Sequence, residues 1–252
     1  MRRALRALRY LVSDVTLMER RDAAHFWLAR HSDGTGTIDV HPRALGGASI
    51  AIREGTTDAQ VVWYVLRQRA HLPPAALDLT PRSILDLGAN IGVAAAHFAV
   101  SFPSARVVAV EPDPENAELC RANLARWPDR CEVIEAAAWT SRAHVALQGE
   151  AADARRVEPT VSGTVEALPI DELVERAAVD GVVDYLKMNV EGAEQALLAG
   201  AASWAHCVRC LRVEVHPPYR VEDCATDLAG LGFDVMPRPP SRSPDPWVTG
   251  IR

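Results

Sequence analysis

The sequence lacks an apolar run long enough to cross a membrane. A membrane-spanning helix needs about 20 consecutive apolar residues, whereas arginines interrupt the apolar positions of the first segment, Met1–Val12. A secretory signal would need an uninterrupted apolar stretch after its charges. We therefore expect no stable membrane insertion. The basic helix predicted at about residues 4–30 can lie on a membrane surface, although packing against the domain or a second subunit is commoner.

An excess of positive charge is also missing. The 252 residues carry a formal net charge of −6, so the chain has no general surplus of lysine and arginine to neutralise phosphates. This excludes a general nucleic-acid binder, and we expect no nucleic-acid partner.

Cysteine is sparse, and its pattern is not that of a disulfide framework. The five cysteines are an odd number, and without a secretory signal they indicate reduced thiols and a cytoplasmic location. Cys207 and Cys210 form a C-x-x-C pair, but no second pair of cysteines or histidines stands at metal-binding spacing. We therefore predict neither a metal nor a redox role for this pair.

The dinucleotide-binding fingerprint is absent too. From Ser83 to Phe102 the sequence indicates a short strand, a turn and a helix start, an arrangement that presents backbone N–H groups to a ligand. The fingerprint needs glycine at the first, third and sixth positions of the turn, which here hold Gly88, Asn90 and Val93. A nicotinamide-dependent dehydrogenase is therefore not expected.

The turn fits better with the nucleoside loop of enzymes that use S-adenosylmethionine (SAM). Asp86 ends the first strand, and Gly88, Asn90 and Gly92 follow as Gly-x-Asn-x-Gly. Gly88 permits a sharp turn, and Gly92 permits close approach of the backbone to a ligand. Glu111 ends the next strand, where a carboxylate can accept both ribose hydroxyls of a nucleoside. Together these residues predict a SAM site.

Beyond residue 83, apolar strand patterns alternate with helical patterns, which indicates a mostly parallel α/β sheet covered by helices on both faces. The predicted core strands are 83–88, 106–111, 132–137, 182–190, 210–216, 232–236 and, as an edge strand, 247–251. Shorter strands at 144–148 and 163–168 flank a polar insertion at 149–162. Residues 1–47 are predicted to form a helical extension or lid, and residues 48–252 the main domain.

Ligands of such sheets lie at the carboxyl ends of the strands, and this rule selects further candidate residues. Ala137 lies among small residues that can leave room for an adenine ring. Lys187, Asn189 and Glu191 alternate along one strand and its end, so they are expected to point to one side. Lys187 can pair with Glu191, with a substrate acid or in a structural ion pair.

The next strand ends in Glu214 and His216, and this histidine has a pKa suited to taking a proton near neutral pH. The following residues, His216–Tyr219, are similar to the Asn/Asp-Pro-Pro-Tyr clamp of enzymes that methylate amino groups. Histidine replaces the residue that grips the nitrogen, and the segment follows the fifth core strand rather than the fourth, so the match is poor.

With these residues in view, the chain resembles the FkbM family of SAM-dependent methyltransferases from about Arg53 to the C-terminus. The motifs that carry the resemblance are Arg53–Asp58, the SAM loop Leu85–Gly92, the ribose-binding strand end Val110–Pro112, the diagnostic stretch Leu186–Glu194 and the Glu-x-His strand Val213–His216. The first 45 residues fall outside it and can supply a lid or a homodimer contact.

The resemblance implies a class I methyltransferase fold (Rossmann-like) and, usually, transfer of a methyl group to a hydroxyl oxygen of a small molecule or sugar. The family usually has aspartate at the position of Asn189. Asparagine keeps the hydrogen-bonding shape but lacks the charge, which argues against Asn189 as a catalytic base or metal ligand.

These observations assign predicted roles. His216 is the predicted base, and Glu191 and Glu214 orient it or the acceptor. The predicted cofactor-binding residues are Asp86, Gly88, Asn90, Gly92, Glu111, Ala137 and Asn189. A divalent ion on Glu191, Glu214 and His216 is a less favoured way to lower the pKa of a hydroxyl. An N-methyltransferase and a non-catalytic SAM-binding protein remain the alternatives.

Overall fold

The structure is a computed structural model that describes residues 16–31, 34–148, 156–159, 163–199, 203–237 and 246–252. The strands are β1 Thr37–Val40, β2 Ile50–Arg53, β3 Ser83–Leu87, β4 Arg106–Glu111, β5 Cys131–Glu135, β6 Ala137–Trp139, β7 Ala143–Gln148, β8 Arg156–Pro159, β9 Val165–Pro169, β10 Val183–Met188, β11 Val208–Glu214, β12 Asp234–Val235 and β13 Trp247–Ile251. The α-helices are α1 Ala23–Ala29, α2 Asp58–Gln68, α3 Val93–Ser101, α4 Pro114–Leu124, α5 Ile170–Ala177, α6 Glu194–Leu198 and α7 Val221–Gly230.

Seven strands form the central sheet, in the order β12-β13-β11-β10-β3-β4-β5. The five strands from β11 to β5 are parallel, and β13 is antiparallel to both β11 and β12. The predicted fold class is confirmed. The chain runs from β3 outward to β5 and then returns to β10 on the other side of β3. Such a reversal leaves a crevice at the carboxyl ends of the strands, where ligands of this fold bind.

The prediction that the last strand is an edge strand is wrong. Strand β13 lies between β11 and the two-residue strand β12, and it pairs with both of them. Four of the five residues of β13 are buried. This burial agrees with a position that has a neighbouring strand on each side. The insertion predicted at 149–162 also contains a strand, β8, in a second sheet of order β6-β9-β7-β8.

The N-terminal region is only partly helical within the residues that the structure describes. The helix predicted at about residues 4–30 appears there as α1, while residues 1–15 lie outside the described part. The glycine-containing stretch that follows includes β1, which pairs with β2 in an antiparallel sheet. The division at residue 47 stays a prediction, although buried Met18 and Phe26 belong to the same apolar cluster as Ile84 and Phe98.

The centre of the sheet is buried on both faces, as in parallel sheets generally. Strand β3 has no exposed residue. On one face Ile84 packs in a cluster with Phe98 of α3, and on the other Leu85 packs with Leu186 and Leu173. Each fully buried side chain of this size contributes about 1.5–3 kcal/mol relative to exposure. The β3–β10 pair is therefore a rigid support for the loops at its carboxyl end.

Local sequence explains where α4, the helix after β4, begins. Asp113 is extended at the N-cap of α4, and its carboxylate accepts hydrogen bonds from the backbone N–H groups of Glu115 and Asn116. Pro114 occupies the first helical position, where its missing N–H costs no hydrogen bond. The cap fixes the turn directly after Glu111, and this turn holds Glu111 at the mouth of the sheet.

Within the described residues, no helix combines the length and the apolar character required to span a membrane.

The two loop glycines make room for the protein chain itself. Gly88 has a φ of +76°, and a Cβ there would lie 1.7 Å from the carbonyl oxygen of Asn189. A Cβ on Gly92 would lie 2.8 Å from Sγ of Cys120. Gly92 therefore allows α3 and α4 to pack closely, which is a different reason from the expected approach to a ligand. Gly88 lets the ends of β3 and β10 touch.

We predict that Gly88→Ala lowers the free energy of unfolding by at least about 3 kcal/mol, because the new methyl group collides with a backbone atom that cannot move away. Gly181→Ala is the matched control, since Gly181 has a φ of +77° but nothing within 4 Å of the position that a Cβ would take. Only the left-handed backbone penalty of about 1–2 kcal/mol applies there. Urea unfolding measures both, and equal losses would contradict the collision.

Candidate active site

A cavity of ≈ 460 Å³ lies at the carboxyl ends of the central strands. Its polar side chains include those of β10 and β11 on one side of β3 and of β4 on the other side, where the strand order reverses. The lining residues are Gln60, Val61, Tyr64, Val65, Ala70, His71, Gly88, Ala89, Asn90, Val93, Ala94, Val110, Glu111, Pro112, Ala136, Ala137, Ala138, Lys187, Asn189, Val190, Glu191, Glu214, His216 and Trp247. Eight of the ten predicted site residues are therefore in one cavity.

Glu111 lies at the end of β4 in this cavity and is held by the backbone. Its Oε2 accepts a hydrogen bond from the N–H of Asn90 at 2.7 Å, and its Oε1 accepts one from the N–H of Asp113 at 3.0 Å. Burial raises the pKa of Glu111 to about 7, with the Asn90 hydrogen bond opposing the rise. The carboxylate is thus fixed in position, and its charge state changes near neutral pH.

The other two predicted residues, Asp86 and Gly92, do not line the cavity. Gly92 packs against Cys120, and Asp86 is fully buried beneath the loop, with Oδ1 2.8 Å from Nζ of Lys187. Burial raises the pKa of Asp86, and the charge of Lys187 opposes that rise. Both residues shape the loop from behind, and their assignment to the cofactor site stays a prediction.

Lys187 forms the structural ion pair that was one of its three predicted alternatives. Besides the contact with Asp86, its Nζ donates a hydrogen bond to the carbonyl oxygen of Gly88 at 2.8 Å. The side chain is only 5% exposed. Lys187 therefore connects the end of β10 to the glycine loop at the end of β3.

Asn189 and Glu214 form a hydrogen-bonded pair on the acceptor side of the cavity. Nδ2 of Asn189 donates to Oε2 of Glu214 at 2.5 Å, and the hydroxyl of Tyr64 donates to Oε1 of Glu214 at 3.3 Å. An ionised aspartate in place of Asn189 would have no proton to donate and would repel Glu214. The amide of Asn189 thus supplies a hydrogen-bond donor to the buried carboxylate of Glu214. This contact accounts for the amide at position 189.

His216 lies between two carboxylates. Its Nδ1 is 2.7 Å from Oε1 of Glu194, and its Nε2 is 3.4 Å from Oε1 of Glu191. Burial lowers the pKa of His216, but the hydrogen bond to Glu194 and the charges of Glu191, Glu194 and Glu214 outweigh burial and raise it. The three carboxylates therefore make the ring a stronger base than a free imidazole.

Glu194 is the site residue that sequence reasoning missed. It begins α6, has no exposed surface, and reaches His216 from below the cavity. Its position as a first-turn acid resembles an ordinary helix-dipole interaction. The available signal was the spacing Glu191-x-x-Glu194 after a strand whose neighbour ends in histidine. Glu191 has a φ of +50°, and this sharp turn aims the two acids at the same ring.

No group of three or more His, Cys, Asp or Glu side chains in the described ranges is arranged to hold a metal ion.

The fold and the position of the cavity are those of class I SAM-dependent methyltransferases. Residues 86–233 match the methyltransferase FkbM domain, which is more than half of the chain. The protein belongs to the FkbM methyltransferase family.

Similar proteins include two curated methyltransferases. The chain is 28% identical over 138 residues to the 2-O-methyltransferase NoeI of Sinorhizobium fredii, a match that covers 46% of this chain and 56% of NoeI. It is 42% identical over 60 residues to the release factor glutamine methyltransferase of Koribacter versatilis, covering 22% of this chain and 21% of that protein. The chain thus spans about half of the first relative and a fifth of the second.

Solved methyltransferase structures are similar at lower identity. The apo form of the SAM-dependent methyltransferase SibL is 18% identical, with a TM-score of 0.48 over 77% of this chain and 57% of SibL. An O-methyltransferase family protein from Burkholderia thailandensis is 14% identical, with a TM-score of 0.46 over 77% of this chain and 59% of that protein. The family assignment rests on the domain match.

We predict that Lys187→Met lowers the free energy of unfolding by about 3–5 kcal/mol, because it leaves the buried Asp86 without its cation. Arg209→Met is the matched control. Arg209 contacts Asp184 at the same 2.8 Å, but its side chain is 58% exposed, and the buried Asp184 also accepts a hydrogen bond from the backbone N–H of Arg82 at 2.7 Å, which the substitution leaves in place. That substitution is expected to cost no more than about 1 kcal/mol. Urea unfolding without cofactor measures both, and similar losses for the two variants would contradict the structural role of the buried pair.

Proposed function

We propose that the protein is a SAM-dependent O-methyltransferase that acts on a hydroxyl group of a small molecule. The observation that carries the proposal is that one cavity contains both Glu111, a carboxylate fixed by two backbone N–H groups, and His216, a histidine held between two carboxylates. The name of one relative, a 2-O-methyltransferase, supports oxygen as the acceptor atom.

In this proposal the loop between β3 and α3 would hold the cofactor. Glu111 would accept the ribose hydroxyls, Gly88 and Asn90 would present the loop to the nucleoside, and Ala137 would leave space beside the adenine. When bound, SAM supplies an electrophilic methyl group on a sulfonium. The chain must then hold the acceptor oxygen in line with that methyl group, which can provide a large part of the rate acceleration.

His216 removes the hydroxyl proton. An ionised Glu194 can only accept a hydrogen bond, so the proton of the neutral ring lies on Nδ1, and Nε2 carries the lone pair. After Nε2 takes the acceptor proton, the imidazolium lies between Glu194 and Glu191, which stabilise its charge. A positioned base of this kind is typically worth ~100- to 10,000-fold in rate. Glu194 is thus a positioning residue.

The alternative functions receive less support from the described contacts. Both ring nitrogens of His216 face carboxylates, and Glu214 is committed to Asn189 and Tyr64, so a divalent ion on Glu191, Glu214 and His216 would have to displace existing contacts. The glutamine methyltransferase match covers only 22% of this chain, and the sequence has no Asn/Asp-Pro-Pro-Tyr clamp. Cytoplasmic location and a homodimer through the N-terminal segment stay predictions.

The first prediction concerns the cofactor. Calorimetric titration should show saturable binding of SAM and none of NAD. Glu111→Ala should weaken SAM binding by roughly 1.5–3 kcal/mol for each charge-assisted hydrogen bond lost. Binding to the wild-type protein should also strengthen as the pH rises through about 7, because the ionised carboxylate is the better acceptor. From pH 6 to pH 8 this linkage amounts to about tenfold.

Glu111→Gln is the control for that pH dependence, because the amide does not titrate. A slope that persists in Glu111→Gln would assign the titration to another group. If SAM does not bind at all, the proposed function is wrong.

The second prediction concerns the base. Glu194→Gln should lower the pKa of His216, because it removes one of the charges that raise it. Histidine ring NMR measures this pKa directly, with His216→Asn identifying the signal. Once a methyl acceptor is known, the pH dependence of kcat can be measured. Its acidic limb should move to lower pH in Glu194→Gln. His216→Ala should lose roughly 100-fold or more in kcat.

Glu166→Gln is the matched control, because Glu166 lies on β9 and its Oε1 contacts Arg142. Its removal should leave the pKa of His216 unchanged. An unchanged His216 pKa in Glu194→Gln would contradict the positioning role, whereas full turnover in His216→Ala would reject His216 as the base.

A further inference from the structure

A second cavity of ≈ 1130 Å³ adjoins the catalytic cavity. Ala70 and Trp247 line both of them, so the two cavities meet at these side chains. The second cavity lies between the end of α2 and the start of α7, against β12 and β13. It is therefore on the side of the catalytic cavity that faces away from Glu111, which ends β4.

The charge of the second cavity is opposite to that of the whole protein. Three arginines line it, Arg67, Arg69 and Arg212, and none of its described lining residues is acidic. The chain as a whole carries a net charge of −6. A positive cavity in an acidic protein attracts anions from solution, because low-dielectric walls concentrate the field of the lining charges.

Arg212 is the residue that ordinary structural reasons do not explain. It lies inside the sheet on β11, opposite Lys187 of β10 on one side and Thr249 of β13 on the other. Asp86, the next residue in this row, pairs with Lys187. The row Asp86–Lys187–Arg212–Thr249 therefore contains two cations and one carboxylate.

No carboxylate in the described part of the chain lies within ion-pair distance of Arg212. Glu214, two residues further along the strand, directs its oxygens to Asn189 and Tyr64. The guanidinium carbon of Arg212 lies 5.5 Å from the centre of the Trp247 ring, and its Nε is buried without a hydrogen-bond partner. The indole thus positions a guanidinium whose Nε has no partner among the described residues and can donate to a ligand.

The other two arginines add charge at the rim. Arg67 lies in the last turn of α2, where the helix dipole favours a cation in any case. Arg69 follows the helix, and its Nη2 lies 3.3 Å from Nε2 of His97. Both side chains are exposed. They can contact a ligand that enters the cavity from solvent.

A buried histidine responds to the same positive field. Burial lowers the pKa of His71 well below its ordinary value, and the charges of His97, Lys187, Arg69 and Arg212 act in the same direction. His71 lines the catalytic cavity and is therefore neutral there. The surroundings of Arg212 favour an added negative charge.

We propose that the second cavity binds an anionic group of the methyl acceptor, a phosphate or a carboxylate, and that Arg212 is its principal contact. The inference deepens the proposed function, because it names the chemical class of the acceptor: a hydroxylated small molecule with a negatively charged group. The hydroxyl then lies in the catalytic cavity near His216, and the anionic group lies beyond Trp247.

The position of the arginines favours the acceptor over the cofactor as the source of the anion. None of the three lines the catalytic cavity, where Glu111 and the loop from Gly88 to Asn90 are found. The cofactor's own carboxylate would have to pass Trp247 to reach Arg212. An anion bound there should therefore leave the cofactor site accessible.

Calorimetry with inorganic pyrophosphate, on protein saturated with S-adenosylhomocysteine, tests the proposal. We expect saturable binding that Arg212→Gln weakens by about tenfold or more, the effect of losing one charge-assisted contact. The affinity for S-adenosylhomocysteine should change less than twofold. Arg209→Gln is the matched control, since Arg209 is on the same strand but pairs with Asp184, and it should bind pyrophosphate like the wild type.

Each other outcome has a distinct meaning. Equal pyrophosphate affinity in the wild type and Arg212→Gln overturns the proposal, as does an equal loss in Arg209→Gln, which would indicate general electrostatic attraction. Competition between pyrophosphate and S-adenosylhomocysteine would assign the arginines to the cofactor and also overturn it. Failure of S-adenosylhomocysteine to bind the wild type would instead reject the proposed function, and the pyrophosphate comparison could then be made without it.

A second variant tests the proposal if Arg212→Gln does not fold. If Arg212→Gln does not unfold cooperatively, the double variant Arg67→Gln/Arg69→Gln replaces it, because both side chains are exposed. We expect it to weaken pyrophosphate binding several-fold, and wild-type affinity in this double variant would overturn the proposal. Acceptor screening then compares hydroxylated compounds in pairs, with and without a phosphate group. Preference for the charged member supports the proposal, and preference for the neutral member contradicts it.

Discussion

The active site depends on the close contact between the end of β3 and the end of β10. Gly88 has no side chain, so the carbonyl oxygen of Asn189 can occupy the space that a Cβ would fill. This approach brings Lys187 within reach of both Asp86 and the carbonyl oxygen of Gly88. The ion pair and the backbone contact hold the glycine loop after β3 against the end of β10. Without them the two halves of the cavity would be separate surfaces.

The sequence predicted the elements whose signal is local. The apolar strand before Asp86, the glycine turn and Glu111 lie within about 30 residues, and their order alone indicates a nucleoside loop. The position of β13 was not predictable in this way, because pairing between β11 and β12 depends on contacts distant in the chain. Glu194 was missed for the same reason: only the fold brings the first turn of α6 under His216.

Asn189 stands where the resemblance leads one to expect aspartate, and its contacts give a reason for the difference. Its amide donates to Glu214, which also accepts from Tyr64 of α2. A third carboxylate at this position would add a repulsive charge to a wall that already contains Glu191 and Glu214. The amide removes that repulsion, and the remaining acids can act on His216 together. Under the proposed function His216 is the base, and Asn189 keeps Glu214 in place.

The separation of charge across Trp247 reconciles two opposing needs of the chemistry. A base is more effective when nearby carboxylates stabilise its protonated form, and Glu191, Glu194 and Glu214 raise the pKa of His216. An anionic acceptor needs cations, yet cations beside His216 would lower its pKa and weaken it as a base. Placing Arg212 on the far side of the indole keeps it out of the catalytic cavity. One sheet edge can therefore present a basic imidazole to a hydroxyl and a guanidinium to the charged part of the same molecule.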